Sequence, residues 1–205
     1  MNPTDRTPLF IDCEASGLGE ASYPIEIAVA ALMGPTQRWL IDPTTVSGWT
    51  HWSRESEGVH GYNRYDLIDW GEDGCDVAEQ LFFLIDGRIL LSDNPDADQR
   101  WITKLFNDTQ IKHPIFEVHD ATQQIKRLMS VAEPDPADRD ERLYNLKLWA
   151  RALHLPAHRA QPDAEYLRRM YQLATQLAGE ALKSHQLDVG HGDHSGVANS
   201  GVATH

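Results

Sequence analysis

The stretch Leu9-Phe10-Ile11-Asp12-Cys13-Glu14-Ala15-Ser16-Gly17-Leu18 constrains this chain more than any other. Its first residues are apolar and strand-forming. Side chains alternate along a strand, so Asp12 and Glu14 project from one face and Cys13 from the other, into the core. Two carboxylates side by side at the end of an apolar strand repel each other and lose solvation. A cation between them removes that cost, and hard oxygen donors so placed favour Mg2+ or Mn2+. A solvated turn after an edge strand would also accommodate a bare Asp-x-Glu, so the weight of the reading falls on the rest of the chain. Next, Ser16-Gly17-Leu18-Gly19 makes a turn whose glycines let a ligand lie against the backbone.

Residues 25–32 read as a mostly buried strand and 37–41 as a third, separated by the turn signal Gly34-Pro35. So short a link pairs them antiparallel. Glu26 is the odd residue there, either on a solvated face or behind the site. From 42 to 74 periodicity fades, and Trp49, His51, Trp52, His60, Tyr62 and Trp70 gather in an irregular segment. Aromatics in such a segment staple it to the core or stack on bases, and stapling is the expectation. Residues 76–85 give a helix signature, with Val77, Leu81, Leu84 and Ile85 at helical spacing behind Asp76 as cap, ended by Gly87.

A short strand over 88–91 then runs into Asn94, which suits an N-cap, and Pro95, which suits the first helical position; Trp101, Ile102, Leu105 and Phe106 form the apolar stripe. Asp96 and Asp98 in a first turn complement the helix dipole. The strand also delivers them to the carboxyl end of a sheet, where open α/β folds keep their sites, and Asp98 is the candidate. A strand over 114–118 precedes helices over 119–131, 141–153 and 163–182, with a surface loop at 132–138. Leu143, Leu146, Trp149 and Leu153 share one side of the second of these helices. At the entrance of the last, Pro162 is expected to open the helix, placing His158 on the incoming loop and Asp163 in the first turn, where both can face one cleft.

Together these stretches resemble the DEDDh exonucleases, the 3′-to-5′ exonuclease family that includes ribonuclease T, oligoribonuclease and the proofreading subunits of bacterial replicative polymerases. The first motif corresponds to Asp12-Cys13-Glu14-Ala15-Ser16-Gly17-Leu18, the second to Asn94, Asp98 and Trp101, and the third to His158-Arg159-Ala160-Gln161-Pro162-Asp163-Ala164. Val59-His60-Gly61-Tyr62 is similar to the His-Gly turn often found between the first two. Ala15 stands where many members have threonine, and Ala97 where an aromatic is usual, so nucleotide seating departs from the pattern. The resemblance implies an α/β, ribonuclease-H-like fold: a five-stranded mixed sheet, the first three strands antiparallel, flanked by helices. It implies two-metal phosphodiester hydrolysis with Mg2+ or Mn2+, one ion held by Asp12, Glu14 and Asp163 and a second near Asp12 and indirectly Asp98. His158 would take the proton from the attacking water. The 3′ end of single-stranded DNA or RNA would be seated by Ala15, Gly17, Leu18 and His60 and released as a nucleoside 5′-monophosphate. A non-catalytic binding module on the same fold and a proofreading-type subunit of a larger assembly are the alternatives; a homodimer is a further expected assembly.

Length and charge bound these expectations. A chain of 205 residues, 41% hydrophobic, most simply forms one domain, here over 1–187, followed by a Gly-, Ser- and Ala-rich tail over 188–205 expected to be disordered. A net charge of −13 argues against broad coating of duplexes, although divalent ions can invert the local sign where a phosphate sits. The longest apolar runs, 25–32 and 81–85, are too short to cross a bilayer, and no signal core is evident, so a cytoplasmic protein with no membrane partner is expected. Cys13 and Cys75 read as reduced small hydrophobes.

Overall fold

The structure, a computed structural model, describes residues 7–190 except 154 and 156. Strands β1 (Leu9–Ala15), β2 (Pro24–Ala31), β3 (Thr36–Leu40), β4 (Arg88–Ser92) and β5 (Phe116–Asp120) form one sheet in the order β3-β2-β1-β4-β5. The first three pair antiparallel, whereas β4 runs parallel to both β1 and β5. This is the five-stranded mixed α/β sheet expected from the sequence.

Alternation along β1 divides the protein into two cores. Leu9, Ile11, Cys13 and Ala15 join Ile25, Ile27 and Val29 of β2 on one face, covered by α3 (Gly74–Ile85) and α4 (Pro95–Thr109). Phe10 turns to the other face with Ala28, Ala30 and Leu91, beneath α5 (Ala121–Met129), α6 (Pro136–Leu153) and α7 (Ala160–Gly190). Small residues meet where α7 crosses β1 and β2: Ala28 and Ala30 below, Ala160, Ala164 and Ala174 above. Removing side-chain bulk on both surfaces lets the backbones approach closely. The parallel register Phe10↔Leu91 then sets the residues that follow Ser92 beside Asp12.

The segment 42–74 is not one loop. It contains α1 (Arg54–His60) and α2 (Arg64–Trp70), each of 7 residues, too short to show helical periodicity. Their ends are marked by capping chemistry instead: Ser53 accepts from the Ser56 N–H, and Asn63 and Asp66 form a capping box. Trp49 is a staple, stacked on Tyr23 with centroids 4.6 Å apart and donating from Nε1 to Asp108 at 2.6 Å. Trp70 is exposed.

Other expectations shift at their ends. Asp73 rather than Asp76 caps α3, β5 begins at Phe116, Asp120 caps α5, α6 starts at Pro136 inside the expected loop, and α7 starts at Ala160. In α6 the buried residues are Leu143, Leu146 and Ala150, while Trp149 and Leu153 are exposed, so the expected stripe is rotated. Small Ala150 takes the buried place in the core beneath α5, α6 and α7 instead. Helix α7 continues to Gly190; residues 1–6 and the tail residues 191–205 lie outside the described residues. Among the described residues no helix is long and apolar enough to cross a membrane. Both cysteines are free.

Candidate active site

Asp12 and Glu14 leave β1 on the α7 face, at the end of the strand where the second core stops. Asp163 comes down to them from the first turn of α7. One carboxylate oxygen from each of Asp12, Glu14 and Asp163 can be chosen so that all three lie within 4.8 Å of one another. This donor set is made of hard oxygens alone, so it fits Mg2+ or Mn2+ better than a thiophilic ion.

The electrostatics say the same. Asp12 is raised well above the usual carboxyl range, first by burial and then by Asp98, Glu14, Asp93 and Asp163. Glu14 is raised from 4.5 to about 7, by burial and then by Glu26, Asp163 and Asp98, with the Arg159 guanidinium pulling it down. Asp163 is also raised, chiefly by burial, although the Ala157 N–H donates to its Oδ1 at 2.9 Å and nearby His158 favours its ionised form. Several acids crowded into little water hold protons that a cation would displace.

Asp98 stands apart from the trio. It is 2% exposed in the first turn of α4, where its carboxylate accepts from the Ser92 hydroxyl and from Cys13, and burial raises it to about 7. Asn94, expected as the cap of this helix, occupies the N-cap position without a side-chain capping bond; its own N–H donates to Ser92 Oγ at 2.8 Å. Asp93, not singled out in the sequence, lies near Asp120 and His158 and is raised by desolvation. His158 is exposed, on the short link before α7, with φ 50. That is the left-handed region, uncommon for a residue with a side chain.

Beside the carboxylates a cavity of ≈ 270 Å³ is lined by Glu14, Ala15, Gly17, Leu18, Val59, His60 and Trp101, among others. The structure thus gathers Ala15, Gly17, Leu18 and His60 against Glu14, with one wall from α1 and another from α4. Gly17 is required there: a Cβ would run into the His51 ring. The turn is tied down by the Ser53 N–H donating to the Ser16 carbonyl at 2.8 Å. His60 is buried, its Nδ1 accepts from the Tyr62 N–H at 3.1 Å, and burial lowers its pKa, so the ring is neutral with the proton on Nε2. Trp101 forms the apolar wall and donates from Nε1 to Ser22 at 3.2 Å.

Glu26, left open in the sequence between a solvated face and a place behind the site, is 0% exposed and opposite Glu14 in the β1–β2 register. Its partners Arg38, Tyr62 and Arg159 could not be read from local pattern, although Arg159 lies inside the third motif.

No protein-family model matches the sequence, and neither does any curated protein. Solved structures do resemble it. The zinc-ion-bound complex of E. coli exonuclease I with single-stranded DNA aligns with TM-score 0.59 and 17% identity over 88% of this chain and 44% of that one. Another structure of exonuclease I aligns with TM-score 0.60 and 16% identity over 88% and 45%, and a product-bound structure of exonuclease I with TM-score 0.58 and 14% identity over 88% and 47%. The chain spans a little under half the length of these proteins, and at such identities what it shares with them is the fold.

Proposed function

We propose that this chain is a metal-dependent 3′-to-5′ exonuclease that releases nucleoside 5′-monophosphates from single-stranded nucleic acid. The observation that carries the reading is the convergence of Asp12, Glu14 and Asp163 beside a cavity lined by glycine-turn backbone, His60 and Trp101. Two divalent ions, Mg2+ or Mn2+, held by Asp12, Glu14 and Asp163 and, near Asp12, by the field of Asp98, would supply Lewis-acid activation of water and charge neutralisation at the leaving oxygen.

The remaining steps belong to the chain. Ala15, Gly17 and Leu18 offer backbone and a small side chain against which the terminal nucleoside lies flat, Trp101 supplies an apolar wall, and His60 presents a neutral ring. His158, exposed and close enough to Asp163 to influence its ionisation, accepts the proton of the attacking water. Raised carboxyls release protons as cations bind, so metal affinity rises with pH across the range where Glu14 and Asp98 ionise, near 7 for both. With a net charge of −13, those ions would supply the positive charge that favours a phosphate at the site.

Exonuclease I was captured with single-stranded DNA, which makes DNA the first polymer to test, with RNA of the same sequence beside it. End-labelled linear strands, circular strands and blunt duplexes are incubated with the protein and Mg2+, Mn2+ or chelator. The expected outcome is metal-dependent shortening from the 3′ end, intact circles and slow attack on blunt duplexes. Binding without shortening under either metal would replace the enzyme with a non-catalytic module, and nicking of circles would make it an endonuclease.

A further inference from the structure

Glu26 is buried behind Glu14, and both of its oxygens are committed. Oε1 accepts from Arg38 Nε and, at 3.2 Å, from the Tyr62 hydroxyl. Oε2 accepts from Arg159 Nε at 3.1 Å and from the Ala160 N–H at 3.2 Å. Arg38 also donates from Nη2 to the Tyr62 hydroxyl, and the Arg159 guanidinium lies 3.8 Å over the centroid of the Tyr62 ring. One carboxylate therefore joins β2, β3, the connection after α1 and the first residue of α7. Arg159 is gripped along its edge by Glu26 and across its face by Tyr62.

A buried ion pair is a poor device for stability alone, because apolar residues of the same volume do as well. It is a good device for holding a direction, and the residues it holds are informative. His158 immediately precedes Arg159 and adopts the left-handed backbone at φ 50. A conformation so sparsely populated persists only where the surroundings over-determine it. The hydrogen bonds from the next two residues, Arg159 and Ala160, to Glu26 provide that restraint. Asp163, three residues further on, closes the same link from the other side by accepting from the Ala157 N–H. His158 thus sits between two anchors, Asp163 on Ala157 and Glu26 on Arg159 and Ala160.

We propose that Glu26 is the positioning residue for His158: with Arg38, Tyr62 and Arg159 it clamps the entrance of α7 and so aims the imidazole at the cleft. The proposal rests on the exonuclease reading for its kinetic consequence, but its structural consequence is independent of it. Glu26 touches no reacting atom; it acts on the link through the Arg159 side chain and the Ala160 N–H, and the His158→Ala background separates that route from its charge beside Glu14.

The test is a double-substitution cycle built on Glu26→Gln. Glutamine keeps the volume but offers one carbonyl acceptor in place of two, and its amide hydrogens face donors, so the four-donor clamp cannot close. Glu26→Gln should lower single-turnover rate by about 10- to 100-fold at saturating metal while changing the KM for an oligonucleotide by less than about threefold. In a His158→Ala background the same substitution should cost less than about threefold, because the group it positions is gone. A loss of equal size in both backgrounds, or a wild-type rate in the single variant, overturns the proposal. If Glu26→Gln does not fold, Arg159→Lys, which keeps the charge but lacks the Nε–H and the flat face, enters the cycle with the same expectations.

A second readout separates this idea from the exonuclease reading. The ring signal of His158 in a proton–carbon correlation spectrum, assigned by its loss in His158→Ala, should shift or broaden in Glu26→Gln while that of His113 stays in place. Should wild type degrade no strand, the functional reading fails and this spectrum still decides the clamp. An unchanged His158 signal overturns the clamp whatever the activity.

Discussion

Glu14→Gln should make the metal-free protein more stable at pH 8 and leave it unchanged at pH 4.5. The folded-state carboxyl of Glu14 is raised from 4.5 to about 7, by burial first and then by Glu26, Asp163 and Asp98. A carboxyl raised on folding binds its proton more tightly in the folded than in the unfolded chain. Its contribution to stability is therefore complete below about 4.5 and lost as pH rises through about 7. At about 1.4 kcal/mol per pH unit the loss comes to about 3 kcal/mol, and relaxation with water entry would bring the measured change to about 1–3 kcal/mol. That is a large part of a domain's usual margin of about 5–15 kcal/mol. Urea unfolding in chelator at several pH values from 4.5 to 8 would measure it: wild type should weaken along this range by more than the variant does. Adding Mn2+ should reverse the order at pH 8, because a ligand that binds only the folded state stabilises the protein that holds it better. A variant with the wild-type pH slope, or one less stable than wild type at pH 8 without metal, would refute the account of the site as mutually repelling acids awaiting a cation.

Three further outcomes are expected. Asp12→Ala should abolish hydrolysis while the fold survives, as circular dichroism would show; residual activity within about tenfold of wild type at saturating Mg2+ would contradict its place at the centre of the cluster. His158→Ala should lower turnover by about 10²- to 10⁴-fold and leave metal affinity by calorimetry intact, whereas Asp163→Ala should damage both. Gly17→Ala forces a methyl into the His51 ring, so it should raise the KM for a single-stranded oligonucleotide more than it lowers kcat; an unchanged KM would remove the Ser16–Gly19 turn from the substrate seat.

How much of this was legible in the sequence follows from the range of the forces involved. Asp12 and Glu14 could be placed on one face because the two-residue period of a strand is a local fact, and the pairing of Glu14 with Glu26 confirms the phase. Asp98 was recoverable because Pro95 opens a helix one turn before it. The helices α1 and α2 escaped because 7 residues make fewer than two turns, too few for a helical period to show, leaving only caps to announce them. The face of α6 was misjudged for a related reason: apolar residues occur all around it, so Trp149 and Leu153 compete with Ala150 for the buried side, and packing in the second core, not local pattern, decides between them.

Glu26 marks the limit of local reading. Its environment is set by Arg38, 12 residues away, and by Arg159, 133 residues away, and no periodicity within β2 distinguishes a carboxylate turned to water from one buried against two guanidiniums. The third motif is itself affected, since the left-handed backbone of His158 is not something a five-residue spacing to Asp163 can predict. The sequence therefore names candidate side chains, of which the fold brings Asp12, Glu14 and Asp163 together, while the long-range ion pairs of Glu26 fix the link that carries His158. In this chain the second kind of information is concentrated behind the site, in a carboxylate that could equally have been a surface residue, and substitutions there are the ones whose effects a motif search would not anticipate.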